Sequence, residues 1–218
     1  MLEQNIYKQT KKCIRKLSKP LLDRKSLTAA ILFASLGVVL HPPFFPIVFP
    51  APYAPFLIYT IWEIPLYICL LVFGPLTAVI AGVINFISLL VFFPGQLITG
   101  PIYNLIAIFG SYLGIILIKK RKKFVLDKNN VTKDILSGDM LLIIALPMIF
   151  RTVIMTVVNF IVLPQPPPIG FSIPMEGIPS ILGLIAIFNS TTILYSIPIA
   201  YIITKAVKSA IDRTWIFE

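Results

Sequence analysis

The sequence predicts an all-α integral membrane protein of six transmembrane helices with both termini cytoplasmic. Three observations carry that reading. Of the 218 residues, 13% are charged and 57% hydrophobic, whereas soluble chains carry roughly 25% charged residues. The mean hydropathy is +0.92, and the apolar residues come in blocks long enough to read as membrane spans. The 19 Lys and Arg are also sorted along the chain. Eight lie between Lys8 and Lys25, seven between Lys119 and Lys133, and three between Lys205 and Arg213; Arg151 alone sits inside an apolar block. Cations gathered in alternate connections follow the positive-inside pattern. The net charge of +10 therefore reads as topology, with a secondary attraction to membrane lipid, and not as a nucleic-acid surface.

These rules divide the chain into a basic cytoplasmic segment (1–25), a transmembrane domain (26–205) with a cytoplasmic loop (119–138), and a cytoplasmic tail (206–218). The first apolar block reads as a retained span because no A-x-A-like cleavage site follows it. Span one is expected over Ser26–Leu40, running outward. HPPFFPIVFPAPYAP (41–55) follows, and its prolines cannot continue a helix. Span two is expected to return over Phe56–Phe73, and Gly74-Pro75 makes a tight inner turn. Span three covers Leu76–Phe93, FPGQLITGP bends the chain, and span four covers Ile102–Ile118. After the basic loop, span five covers Met140–Leu163; span six, after PQPPPIGFSIPMEG, covers Ile181–Thr204.

Polar residues inside such blocks point to function, because an ionisable group in a bilayer is costly unless paired or hydrated. Glu63 is expected about seven residues, or ~10 Å, into span two, and Arg151 near mid-membrane in span five. They form either a structural ion pair or part of a substrate cavity, and both readings can hold together. Asn85, Asn104, Asn159 and Asn189 lie on four different spans, where amides can bridge helices or meet a ligand. Asn104 and Asn159 share the outer half with Glu63, which suits a pocket open to the exterior. Phe44, Phe45, Phe49, Tyr53, Phe56, Tyr59 and Trp62 crowd the first outer loop. They read as an interfacial belt or as a proline-stiffened lid that stacks on a flat ligand.

Several chemistries are missing from the sequence. No G-x-x-x-x-G-K-[ST] provides an ATP-binding loop, and neither H-E-x-x-H nor G-x-S-x-G occurs. The single His41 and the distant Cys13 and Cys69 suggest neither a metal site nor a disulfide. No catalytic residue, metal or cofactor is expected.

Motifs spread over most of the chain resemble the substrate-binding S components of energy-coupling factor (ECF) vitamin transporters, nearest the riboflavin-specific branch. AAILFASLG resembles the family's A-x-x-x-A first helix, with Ala30 and Ala34 as its alanines. Glu63-Ile64-Pro65 ahead of Phe73-Gly74-Pro75 is similar to its second and third helices. GPIYNLIAIFGSYLGIILIKKRKK resembles the fourth, MTVVNFIVLP the fifth and IFNSTTILYSIPIAYIITK the sixth, with Asn104, Asn159 and Asn189 at family asparagines. The chain departs from that pattern at Ile187, where Pro is usual, and at Thr192 and Ile84, where Lys is common.

The resemblance implies a six-helix S-component-like bundle that captures a vitamin or related small molecule at an outward-facing pocket. Glu63, Asn104, Arg151, Asn159 and Asn189 would give polar contacts, and Tyr59 and Trp62 would stack. It also implies a transmembrane coupling subunit, docked on the small-residue stripe Ala30, Ala34 and Gly37, and two ATPase subunits. Packing within the bundle is the other reading of that stripe. A stand-alone secondary transporter and a membrane scaffold remain alternatives.

Overall fold

A computed structural model describes residues 23–42, 44–46, 48–92, 99–121 and 138–211. Most of the basic N-terminal segment, the FPGQLI part of the bend after Phe92 (93–98), the centre of the basic loop and the end of the tail lie outside the described residues. The described chain runs α1 (Arg24–Val39), β1 (Phe49–Ala51), β2 (Ala54–Tyr59), α2 (Ile64–Phe73), α3 (Pro75–Phe92), α4 (Thr99–Arg121), α5 (Gly138–Val162) and α6 (Ile178–Ile211).

Five helices fall close to where hydropathy places them; the second does not. In place of a helix beginning at Phe56, residues 49–59 form an antiparallel hairpin with Phe49 opposite Tyr59 and Pro50 opposite Ile58. Two local features explain the difference. Pro50 and Pro55 interrupt helical hydrogen bonding, and the aromatic and β-branched run FLIYTIW favours extended backbone. The helix starts where Pro65 occupies its first turn, a position at which the missing N–H costs nothing. Glu63 therefore stands immediately before α2, with no side-chain capping bond, instead of lying two turns inside a helix.

Being only 10 residues long, α2 spans about 15 Å, half of a ~30 Å hydrocarbon core. Every residue from Ile64 to Leu71 is buried, as expected for a helix apolar on all sides. It packs against α1, α3 and α6, and the remaining helices close the circuit through α3–α4, α4–α5 and α5–α6. The core collects around it: Leu66, Tyr67, Leu70 and Leu71 meet Ala30, Ala34, Ala78, Ile108, Tyr112, Ile193 and Ile197. Gly74 ends α2 with φ 91°, a region favouring glycine, and lets α3 start at the next residue.

Among the described residues, four helices are long and apolar enough to cross a membrane, over Pro75–Phe92, Gly100–Ile118, Met140–Val162 and Ile178–Val207. Their uncovered sides carry Val91, Leu113, Leu142, Val153, Val157, Ile161, Leu194 and Ile202, an apolar exterior suited to lipid. The molecule is an integral membrane protein.

Candidate functional site

The site begins with the crossing of α4 and α5, the most extensive helix pair in the bundle. A Cβ added at Gly114 would stand 2.5 Å from the Pro147 Cα, so only glycine permits this approach. One turn away, a Cβ at Gly110 would lie 3.4 Å from the Arg151 Cα. Gly110 and Gly114 thus form a G-x-x-x-G contact, the spacing that lets membrane helices touch backbone to backbone. It holds Arg151 at the inner face of α5.

Arg151 and Glu63 form a two-pronged ion pair. Nη2 donates to Glu63 Oε1 at 2.8 Å, and Nη1 donates to Oε2. Nη1 also donates to the Tyr67 hydroxyl at 3.1 Å, and Nε donates to Asn189 Oδ1 at 2.8 Å. The Tyr67 hydroxyl lies 3.1 Å from Glu63 Oε2 and 3.0 Å from Ser111 Oγ. Ser111 gives its own proton to the Ala107 carbonyl, so carboxylate and serine compete for one phenolic proton. Asn189 is fixed by donating to the Ile185 carbonyl at 2.9 Å. Glu63, Arg151 and Asn189 are 4%, 3% and 3% exposed. A guanidinium and carboxylate held this far from water need such pairing, since either alone would be strongly destabilising.

The hairpin meets this cluster through α6. Tyr59 stacks on Phe188, the neighbour of Asn189, with ring centroids 4.9 Å apart. Tyr195 donates to the Thr60 carbonyl at 2.6 Å. Tyr53 in the hairpin turn and Tyr59 at the far end of β2 share a hydrogen bond of 2.5 Å; burial, and then this bond, push the Tyr53 phenol up to about 12. The aromatic loop is thus joined to α6 by stacking and hydrogen bonding, and Tyr59 already has a partner ring.

Three of the seven expected ligand contacts, Glu63, Arg151 and Asn189, therefore meet in one cluster, with Tyr59 beside it. The other three stand elsewhere. Trp62 and Asn104 line a cleft of about 10 Å³ with Leu66, Gly82, Asn85, Phe86 and Pro101, room for about one water. Near it, the Asn104 amide lies 3.5 Å from His41 Nε2, and burial pushes the His41 imidazole down to about 4. Asn159 donates to the Met155 carbonyl of its own helix at 2.7 Å, an intrahelical role that needs no ligand.

The expected docking stripe faces the chain's own helices. Ala30 and Ala34 have no exposed surface, and Gly37 is buried. Asn85 of α3 donates to the Ala34 carbonyl at 3.2 Å, and a Cβ on Gly37 would come within 2.8 Å of the same amide. Small residues allow α1 to approach α3 and α2, so this face is occupied by the chain itself. The face of α1 left open carries Leu27, Ile31, Leu32, Leu36 and Val39.

Tyr67, Ser111 and the two glycines went unrecognised in the sequence reading. GSYLG (110–114) is a legible signal for close packing, and Tyr67 stands one helical turn after Glu63, a spacing at which side chains meet.

No protein-family model and no curated protein matches the sequence. The fold does find a match. A solved structure described as the S component of a bacterial ECF transporter superposes with a TM-score of 0.66, over 87% of this chain and 98% of that chain, at 19% identity. The fold is that of an S component. At this identity the likeness is one of architecture. Within the S-component fold, this chain places a buried Glu63–Arg151 pair where the hairpin gives way to α2.

Proposed function

We propose that this chain is the substrate-binding membrane subunit of an ECF-type, ATP-driven importer, and that it captures a vitamin-like small molecule from the outer side. The observation that carries the proposal is an S-component fold covering nearly the whole of a solved S component, with a buried charged cluster between α2, α5 and α6. In this reading all six helices act as spans, and the cationic connections place both termini inside. Glu63, Arg151, Asn189 and Tyr67 give the polar contacts, and Tyr59 or Trp62 stacks on the ligand. Riboflavin is the leading ligand because its flat, hydrogen-bonding ring system suits aromatic and amide neighbours. Trp62, Asn104 and Asn159 would contribute only after rearrangement, since none of them lies in the cluster described above.

The protein itself performs no bond chemistry. A coupling subunit and two ATPases would drive release inside, and the coupling subunit would meet the open α1 face at Leu27, Ile31 and Leu36, because Ala30, Ala34 and Gly37 are covered. The test is uptake into liposomes holding the purified chain with and without a coupling subunit and two ATPases, combined with native mass spectrometry for a carried vitamin. Uptake only with the ATPases supports the proposal. Labelling of the 119–133 segment from outside intact cells would refute the orientation.

A second reading has one observation in its favour. A buried acidic–basic pair inside a membrane domain is also the kind of group that carries protons in secondary transporters. Uptake driven by a proton gradient without any ATPase would select it.

A further inference from the structure

We propose, on the basis of the capture function above, that the ligand taken by the Glu63–Arg151 cluster is uncharged overall and two-sided. It would carry hydrogen-bond acceptors for Arg151 and donors for Glu63.

The argument rests on electrical balance. The cluster contains one carboxylate, one guanidinium, and the neutral Tyr67, Ser111 and Asn189, so its net charge is zero. Among the described residues, the only other buried charged side chain is Lys205. From position 189 to 205, α6 rises about 24 Å, which leaves Lys205 too distant to balance a charge at the cluster. An anion taking Glu63's place on Arg151 would leave the Glu63 carboxylate buried without a cation. A cation taking Arg151's place on Glu63 would strand the guanidinium in the same way.

Neither residue has an easy way out. Glu63 leads directly into a helix whose residues are buried from Ile64 to Leu71, and its carbonyl accepts from Tyr67 N at 3.1 Å. Arg151 is held by Asn189 and Tyr67 as well as by Glu63. A molecule that enters the pair must therefore answer both groups together. The guanidinium now presents N–H donors to two carboxylate oxygens. The ligand would offer acceptors on one edge and a donor on another, as a zwitterion or an imide- or amide-edged heterocycle does.

The test measures equilibrium binding of the purified full chain in detergent at pH 7. Its probes are riboflavin and pyridoxine (uncharged), thiamine (cationic) and biotin (anionic). Native mass spectrometry of the same preparation reads the net charge of any carried molecule. The expected result is saturable binding of an uncharged probe at least 100-fold tighter than thiamine or biotin, or a carried molecule with no net charge. Glu63→Gln leaves the cluster cationic, and should shift the biotin-to-riboflavin preference at least tenfold towards biotin. Arg151→Gln should shift preference equally towards thiamine. If either single variant fails to remain monodisperse, Glu63→Gln/Arg151→Gln restores neutrality and should keep the preference for uncharged probes.

Wild-type binding of thiamine or biotin as tight as that of the uncharged probes would overturn the inference. So would a charged carried molecule, or preferences that move less than twofold in both single variants. Each of those outcomes still includes saturable ligand capture and so leaves the proposed function standing. No saturable binding together with no carried molecule would overturn the capture function itself.

Discussion

Replacing Gly114 with alanine tests whether the α4–α5 contact sets the geometry of the site. The added Cβ would lie 2.5 Å from the Cα and nitrogen of Pro147 and 2.8 Å from the Leu146 carbonyl carbon. All three are backbone atoms, so no side-chain rotation relieves the clash. Restoring ordinary carbon contacts of about 3.5 Å requires α5 to move away by about 1 Å. Arg151 lies one turn beyond Pro147, and its bonds to Glu63, Tyr67 and Asn189 of 2.8–3.1 Å would stretch past hydrogen-bonding distance. Overpacking of this kind costs about 1–3 kcal/mol. At about 2–4 °C per kcal/mol for a chain of this size, the melting temperature should fall by about 2–12 °C. The natural reporter is Cys69, which is buried. With Cys13→Ser in the background, a thiol-reactive dye labels Cys69 only as the bundle opens. Gly183→Ala is the control, since nothing lies within 4 Å of its added Cβ and helix propensity there favours alanine by up to about 1 kcal/mol. Equal melting temperatures for Gly114→Ala and the parent would refute the claim that this crossing is held at its limit.

The other expectations are more compact. Arg151→Met should destabilise the bundle by about 3–5 kcal/mol by stranding the Glu63 carboxylate, and adding Glu63→Gln should recover most of the loss in the same Cys69 assay; no recovery would mean the two side chains are not energetically coupled. Ala34→Trp should reduce monodisperse protein on size exclusion, because Ala34 has no exposed surface and packing there is closed. A folded variant that binds ligand and loses only uptake would restore the docking role to that face. Acid should weaken the fold through His41, whose folded value of about 4 lies below its ordinary 6.5. The unfolded chain takes the proton first, so stability is intact above about 6.5 and declines as pH falls towards about 4. With Trp215→Phe, fluorescence of Trp62, whose ring lies 5.8 Å from His41, should titrate near pH 4; a midpoint near 6.5 would contradict the burial. Tyr59→Ala removes the ring stacked on Phe188 and should raise amide hydrogen exchange across residues 49–60, and unchanged exchange would show that the stack does not hold the hairpin.

Hydropathy and charge order made most of the architecture legible before any coordinates. Long apolar runs have few alternatives to a helix in lipid, which is why α1, α3, α4, α5 and α6 stand close to their expected positions. The hairpin at 49–59 escaped because FLIYTIW is apolar enough to pass as a span, and hydropathy does not distinguish an extended apolar run from a helical one. Glu63, Arg151 and Asn189 were visible as costly polar residues, but a sequence carries no information on which of three helices face one another. By depth, Asn104 and Asn159 were the expected companions of Glu63 and Asn189 lay nearer the middle, yet it is Asn189 that joins the Glu63–Arg151 cluster.

The sequence by itself determined a membrane bundle, its helix order and the few polar groups that lipid would not tolerate unpaired, because these follow from local transfer energies that sum along the chain. Tertiary structure alone decided that Arg151 answers Glu63, Tyr67 and Asn189 together, and that Ala30, Ala34 and Gly37 face inward to α3 and α2. Both outcomes depend on how closely helices distant in sequence approach, and Gly110 and Gly114 set that distance where Arg151 is held.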